Sequence, residues 1–242
     1  MMHRVLQQIL AVGLLVATAA CADEDSVKKA FQTKFPKAVV DTVTLLPELG
    51  LYEIVLPRGD EPIIIYTDEK FTYMLQGSLV ETKSMTDLTE RKRARLTAID
   101  FSSLPLDQAI KKVKGKGTRK VAVFSDPDCP YCKRVEHEFE KLDDVTIYIM
   151  LYPIEELHPK APARARSIWC APDRVKAWDD YMLRGTAPAA ATCDNPVDAV
   201  VAFGKSKGIT GTPTLVFEDG SRMPGALNSA QIEAQFANAA KK

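Results

Sequence analysis

Two cysteines with two residues between them, Cys129-Pro130-Tyr131-Cys132, stand where a β-rich run gives way to a helical one, and this junction constrains the chain most. Val121 to Ser125 is a compact β run, Asp126-Pro127-Asp128 supplies turn residues, and Cys129 to Leu142 reads as a helix. A thiol at a helix N-terminus faces unpaired backbone N–H groups and the positive end of the helix dipole. Both favour the thiolate, so Cys129 is expected to ionise below the free value of about 8.5. The spacing brings the second sulfur close enough to attack a mixed disulfide on the first. Cys129 is therefore the expected attacking thiol and Cys132 the resolving one. Pro130 suits an early helical position, where no N–H donor is needed. The same spacing could form half of a zinc site, but zinc takes four ligands and usually shows a second close pair. Cys170 and Cys193 lie far apart in sequence, and past residue 22 only His137 and His158 remain, so no metal is expected.

The start of the chain reads as an export leader. Met1 to Arg4 is short and basic, Ile9 to Ala20 is apolar, and Ala20-Cys21-Ala22 matches a small-residue cleavage site before Asp23-Glu24-Asp25. The apolar run falls short of the roughly 20 residues that span a bilayer. Thr18-Ala19-Ala20-Cys21 also weakly resembles a lipoprotein box that would lipidate Cys21; ordinary cleavage is preferred. The whole chain carries 32 basic and 32 acidic side chains, and loss of Arg4 with the leader leaves a formal charge of −1. That balance gives no general electrostatic reason to bind nucleic acid or an anionic membrane. Cys129, Cys132, Cys170 and Cys193 remain, and an even count in an exported chain favours pairing, with three connectivities open. Cys170 follows Trp169 in a helical stretch, and Cys193 sits in a loop beyond Pro188. Neither opens a helix after a strand, so a structural disulfide between them is preferred to a second redox centre.

Ser26 to Phe35 has helical spacing and ends at Pro36. Thr42–Leu46, Leu51–Leu56, Pro62–Tyr66 and Phe71–Leu75 are short β runs, with turns at Arg58-Gly59-Asp60 and Asp68-Glu69-Lys70. So small a unit has a marginal core and gains by pairing with a copy of itself. Asp87 with Glu90 fits a capping box opening a charged helix to Leu96, read as a linker between two domains. The basic stretch Lys111 to Lys120 reads as a solvated turn rather than a nucleic-acid site. Beyond Cys132 come a β run at Val145–Tyr152, helices over Ala161–Met182 with a break near Pro172, and a helix at Pro196–Lys207. A hairpin of Thr214–Phe217 with Ser221–Met223 and a helix from Ser229 to Ala240 complete a thioredoxin-like order. Thr212-Pro213 stands just before the hairpin, where proline can start a strand but not sit centrally in one.

The segment Phe124-Ser125-Asp126-Pro127-Asp128-Cys129-Pro130-Tyr131-Cys132-Lys133 resembles the active-site segment of the DsbC/DsbG family of bacterial periplasmic disulfide isomerases. Ile168-Trp169-Cys170-Ala171, Cys193-Asp194 and Gly208-Ile209-Thr210-Gly211-Thr212-Pro213-Thr214 resemble it in the same order. The resemblance implies an α+β N-terminal dimerisation domain and an α/β thioredoxin-like catalytic domain with a helical insertion. The expected divisions are a signal peptide at 1–22, the dimerisation domain at 23–85, a helical linker at 86–102 and the catalytic domain at 103–242. It further implies a V-shaped homodimer in the periplasm that isomerises wrong disulfides in secreted proteins and is reduced by a membrane thiol reductase of the DsbD type. Its redox-active disulfide would serve without a cofactor. Thr212 and a cis Pro213 would face Cys129 and hold a substrate strand. A DsbG-like reductase and chaperone protecting single oxidised cysteines is the alternative, and the Pro130-Tyr131 pair does not separate the two. One position departs from the thioredoxin pattern: the buried acid expected six residues before the first cysteine is Val123, leaving the acceptor of the Cys132 proton unassigned.

Overall fold

The computed structural model describes residues 23–58 and 61–239. The leader, Cys21 and the Gly59-Asp60 turn lie outside the described residues. The first helix, α1 (Glu24–Lys34), starts at Asp23, whose carboxylate accepts the Ser26 N–H at 2.7 Å. Glu24 and Asp25 in its first turn and Lys34 in its last suit the helix dipole. Four strands follow: β1 (Thr42–Leu46), β2 (Leu51–Leu56), β3 (Ile63–Thr67) and β4 (Met74–Leu75). They pair antiparallel in chain order, with Thr42 opposite Val55, Leu56 opposite Ile63 and Tyr66 opposite Leu75. Alternation along β2 and β3 divides the side chains between two faces. Tyr52, Ile54 and Ile65 pack with Val27 and Phe31 of α1, whereas Val55, Ile64 and Tyr66 form a cluster on the other face.

A short hairpin of β5 (Val80–Glu81) and β6 (Thr86–Asp87) leads into α2 (Leu88–Leu96). The Asp87 carboxylate caps α2 by accepting the Glu90 N–H at 2.8 Å. The first turn of this charged helix is docked rather than free: Tyr66 and Thr89 hydroxyls meet at 2.6 Å in a buried contact, and Lys92 pairs with Glu53 at 3.0 Å. Ile99 and Phe101, in the segment read from sequence as linker, are buried in the core of the second sheet with Ala122 and Phe124.

The second sheet contains β7 (Ile110–Lys114), β8 (Arg119–Ser125), β9 (Val145–Leu151), β10 (Thr214–Phe217) and β11 (Arg222–Pro224), in the spatial order β11-β10-β8-β9-β7. Only β8 and β9 run parallel; the remaining pairs are antiparallel. Helices α3 (Pro130–Phe139), α4 (Ala161–Trp169), α5 (Arg174–Arg184) and α7 (Ser229–Ala239) contribute to the core on one face. Helix α6 (Val197–Ser206) and Phe101 and Leu104 cover the other. Cys170, at the C-terminal end of α4, is bonded to Cys193 in the loop before α6, with Cα atoms 5.6 Å apart.

The basic stretch departs from its reading as a solvated turn. Ile110–Lys114 is a strand, and only the turn through Gly115 and Gly117, both at positive φ, is irregular before Arg119 begins β8. Lys112 is buried because its ammonium meets Glu140 of α3 and Asp179 of α5, each at 2.8 Å. Its outward neighbour Val113 is exposed. This inverted pattern, lysine inward and valine outward, hides the strand from a reading of polarity.

Candidate active site

The central strand β8 ends at Ser125, and Asp126-Pro127-Asp128 turns the chain into α3. The Asp126 side chain is fully buried and organises this turn. One carboxylate oxygen accepts the Asp128 N–H at 2.7 Å; the other accepts the Ile154 N–H at 2.7 Å and lies 2.9 Å from His158 Nδ1. Cys129 is the N-cap residue, in extended conformation, and Pro130 is the first helical residue. The helix therefore starts one residue after Cys129 and ends three before Leu142. The consequence for the sulfur is unchanged, since the cap position also faces the unpaired N–H groups.

Cys129 and Cys132 are both reduced and nearly buried, at 5% and 1% exposure. A hydrogen bond from the Cys132 thiol is the largest influence holding the Cys129 thiol well below its ordinary value. The backbone N–H of Cys132, the Thr212 hydroxyl and the backbone N–H of Tyr131 act in the same sense against desolvation. Cys132 moves the other way. Burial raises it, and hydrogen bonding to Cys129 and that group's charge raise it further. Its sulfur accepts the Asp126 N–H at 3.4 Å. As a thiol, Cys129 faces the Thr212 carbonyl at 3.5 Å, and the Thr212–Pro213 peptide bond is cis. Four residues singled out from the sequence, Cys129, Cys132, Thr212 and Pro213, thus meet at one corner. Tyr131 projects from the motif at 56% exposure, with the Arg134 guanidinium 5.9 Å from its ring centroid. Cys170 and Cys193 take no part in this cluster and bond to one another.

The structure adds groups that the sequence reading passed over. Asp128 was read only as a turn residue, yet its carboxylate accepts the Tyr181 hydroxyl at 2.7 Å and pairs with Arg164. Arg164 and Tyr181 come from α4 and α5, so only the folded insertion brings them to the motif. Glu136, one turn beyond Cys132, is fully buried; one carboxylate oxygen has no hydrogen-bond partner, and burial raises its pKa to about 7. Val123 lies in the core, so no acid occupies the customary position on the strand. Among the described residues no cluster of histidine, cysteine and carboxylate groups could hold a metal ion.

A thioredoxin fold with a reduced dithiol at a helix N-terminus, facing a Thr–cis-Pro step, defines a thiol–disulfide oxidoreductase. Residues 106–240 match the thioredoxin-like domain family and residues 18–90 match the disulfide bond isomerase protein N-terminal domain. The chain is 40% identical over 220 residues to the "probable thiol:disulfide interchange protein DsbC" of Bordetella pertussis, covering 91% of this chain and 76% of that protein. Against the thiol:disulfide interchange protein DsbC of Escherichia coli the identity is 25% over 181 residues, covering 74% and 73%. A solved disulfide interchange protein from Neisseria gonorrhoeae matches with a TM-score of 0.54 and 51% identity, over 56% of this chain and 97% of that one. The chain belongs to the DsbC family of thiol:disulfide interchange proteins, and its activity is disulfide exchange.

Proposed function

We propose that the protein corrects wrong disulfides in exported proteins, with Cys129 as nucleophile and Cys132 as resolving thiol. The observation that carries this reading is a pair of reduced cysteines at the start of α3, with the Cys129 sulfur 3.5 Å from the Thr212 carbonyl beside the cis Pro213. The Cys129 thiolate attacks one sulfur of a substrate disulfide, forming a mixed disulfide and releasing the other sulfur as a thiolate. In isomerisation a substrate thiolate then attacks the substrate sulfur of that bond, frees Cys129, and leaves the number of disulfides unchanged. In reduction Cys132 gives up its proton and attacks Cys129. The motif leaves as a disulfide, and the substrate takes both electrons. Thr212 and Pro213 line the approach to Cys129 and hold the substrate strand. The dithiol is itself the redox group, so no cofactor is required, and a membrane thiol reductase of the DsbD type returns the motif to its reduced state.

Residues 23–85 serve as a dimerisation domain, 86–102 as the link and 103–242 as the catalytic domain. Support for dimerisation comes from Tyr73, Met74 and Leu75, exposed on and beside the edge strand β4, with Val80 and Met85 also exposed. An unpaired apolar edge is a template for another chain. The export leader read from the sequence supports a periplasmic site of action, and no helix among the described residues is long and apolar enough to cross a membrane. Incubation of the reduced protein with a scrambled multi-disulfide substrate, without other oxidant, should restore native substrate. Aggregation suppressed equally well by a variant lacking both motif cysteines, with no restoration, would favour a chaperone and overturn this reading.

A further inference from the structure

Asp128 immediately precedes Cys129, and its side chain is only 15% exposed. A carboxylate on the residue next to a developing thiolate opposes it by like-charge repulsion, and the effect is screened weakly where both groups are largely shielded from solvent. Two groups from the helical insertion meet this carboxylate. The Tyr181 hydroxyl donates to Asp128 Oδ1 at 2.7 Å, and Arg164 Nη1 pairs with the same oxygen. The Arg164 guanidinium lies 4.6 Å from the Tyr181 ring centroid, and the Lys133 ammonium is also 4.6 Å from it. Lys133 directly follows Cys132, so the ring draws both cations to the motif. Burial and its hydrogen bond to Asp128 push the Tyr181 phenol up to about 12, so it stays a donor. A second ionisable pair, His158 with Asp126, lies at the same turn, and Arg134 and buried Glu136 stand on α3 beside the motif.

We propose that Arg164 is a positioning residue for the reaction: by cancelling the charge of Asp128 it lets Cys129 exist as a thiolate, and so couples the insertion to the reactivity of the motif. The inference rests on Cys129 being the nucleophile. Removing Arg164 leaves Asp128 uncompensated and raises the Cys129 pKa. Removing the Asp128 charge leaves Arg164 uncompensated and lowers it. The two substitutions break the same contact yet act in opposite directions, which a purely structural role cannot produce.

The test compares the reduced protein with Arg164→Gln, Asp128→Asn and the double variant. Iodoacetamide alkylation is followed against pH, with Cys129 and Cys132 mapped separately by mass. Arg164→Gln is expected to raise the Cys129 midpoint by about one pH unit and Asp128→Asn to lower it, with the double variant near the parent. The reduction potential should follow. A tenfold change in the equilibrium is about 30 mV for this two-electron couple, more negative for Arg164→Gln and less negative for Asp128→Asn. If the parent Cys129 shows an ordinary thiol midpoint, the nucleophile assignment fails and takes the inference with it. If the parent midpoint is depressed but the two single variants shift together, or neither shifts, the inference alone is overturned.

Discussion

Cys129 and Cys132 share one helical turn and shift in opposite senses, because the first accepts a hydrogen bond from the second and from backbone N–H groups at the start of α3, whereas burial raises the second. Cys129→Ser is expected to abolish exchange, and Cys132→Ser to leave substrates attached through Cys129. Mass mapping of the adducts under non-reducing conditions checks this, and faster alkylation of Cys132 than Cys129 at neutral pH would contradict it. Glu136 gives a second prediction at this scale. Burial holds its folded pKa at about 7, above an unfolded value of about 4.3. Between these two values the folded protein keeps a proton that the unfolded chain has lost, so stability falls as pH rises across that window and stays lowered above it. Glu136→Gln should remove this fall and add on the order of 3 kcal/mol at pH 8 relative to pH 5, measured by urea unfolding of both proteins. The motif cysteines were legible in the sequence because their chemistry depends on a local strand, turn and helix. Arg164, Tyr181 and Glu136 were not, since each gains its role from a neighbour distant in sequence.

Among the elements, β7 shows where polarity misleads. Its inward Lys112 is accommodated only because α3 and α5 present Glu140 and Asp179 to it, and the hydrogen bonds it donates to these acids raise its pKa despite burial. Lys112→Ala leaves those carboxylates beside buried Glu136 without a counter-charge, and should cost about 3 kcal/mol by denaturant unfolding. In the first sheet, β1 and β2 fall on their expected bounds because both are mostly apolar and β-branched runs between turns, whereas the run expected at Phe71–Leu75 is a strand only at Met74–Leu75. The two-residue strands β5 and β6 carry too few positions to show any period. The bond from Cys170 to Cys193, 23 residues apart, ties the end of α4 to the entrance of α6. Replacing both with alanine should lower stability by about 3 kcal/mol on the chain-entropy model while small-thiol exchange persists. Thermal unfolding and a dithiol exchange assay report the two effects separately.

Across the whole molecule, the thioredoxin order was visible in the sequence through its alternation of β and helical runs, whereas the catalytic core reaches back further than that order suggested. Ile99 is buried there, and its N–H bonds to the Gly220 carbonyl at 2.9 Å, so an isolated catalytic fragment should begin before Ile99. Such a fragment should be monomeric and exchange small thiols, because the groups that act on Cys129, from α3, the helical insertion and Thr212, all lie within it. It should isomerise proteins poorly, having lost the pairing proposed for residues 23–85. Leu75→Glu in the full protein should also yield monomers, by placing charge on the exposed edge of β4. Sedimentation combined with both activity assays tests the arrangement; a fragment with undiminished isomerase activity would refute it.

The burial of Cys132 also acts as a clock. A thiol that keeps its proton attacks slowly, because only the thiolate is an effective nucleophile. On the roles proposed above, a substrate joined to Cys129 would not be expelled at once, and its own sulfurs would have time to sample new partners. Exit by rearrangement competes with exit by reduction, and the reluctance of one buried proton to leave sets the odds. Raising the pH should shorten that dwell and tilt the products from reshuffled toward reduced.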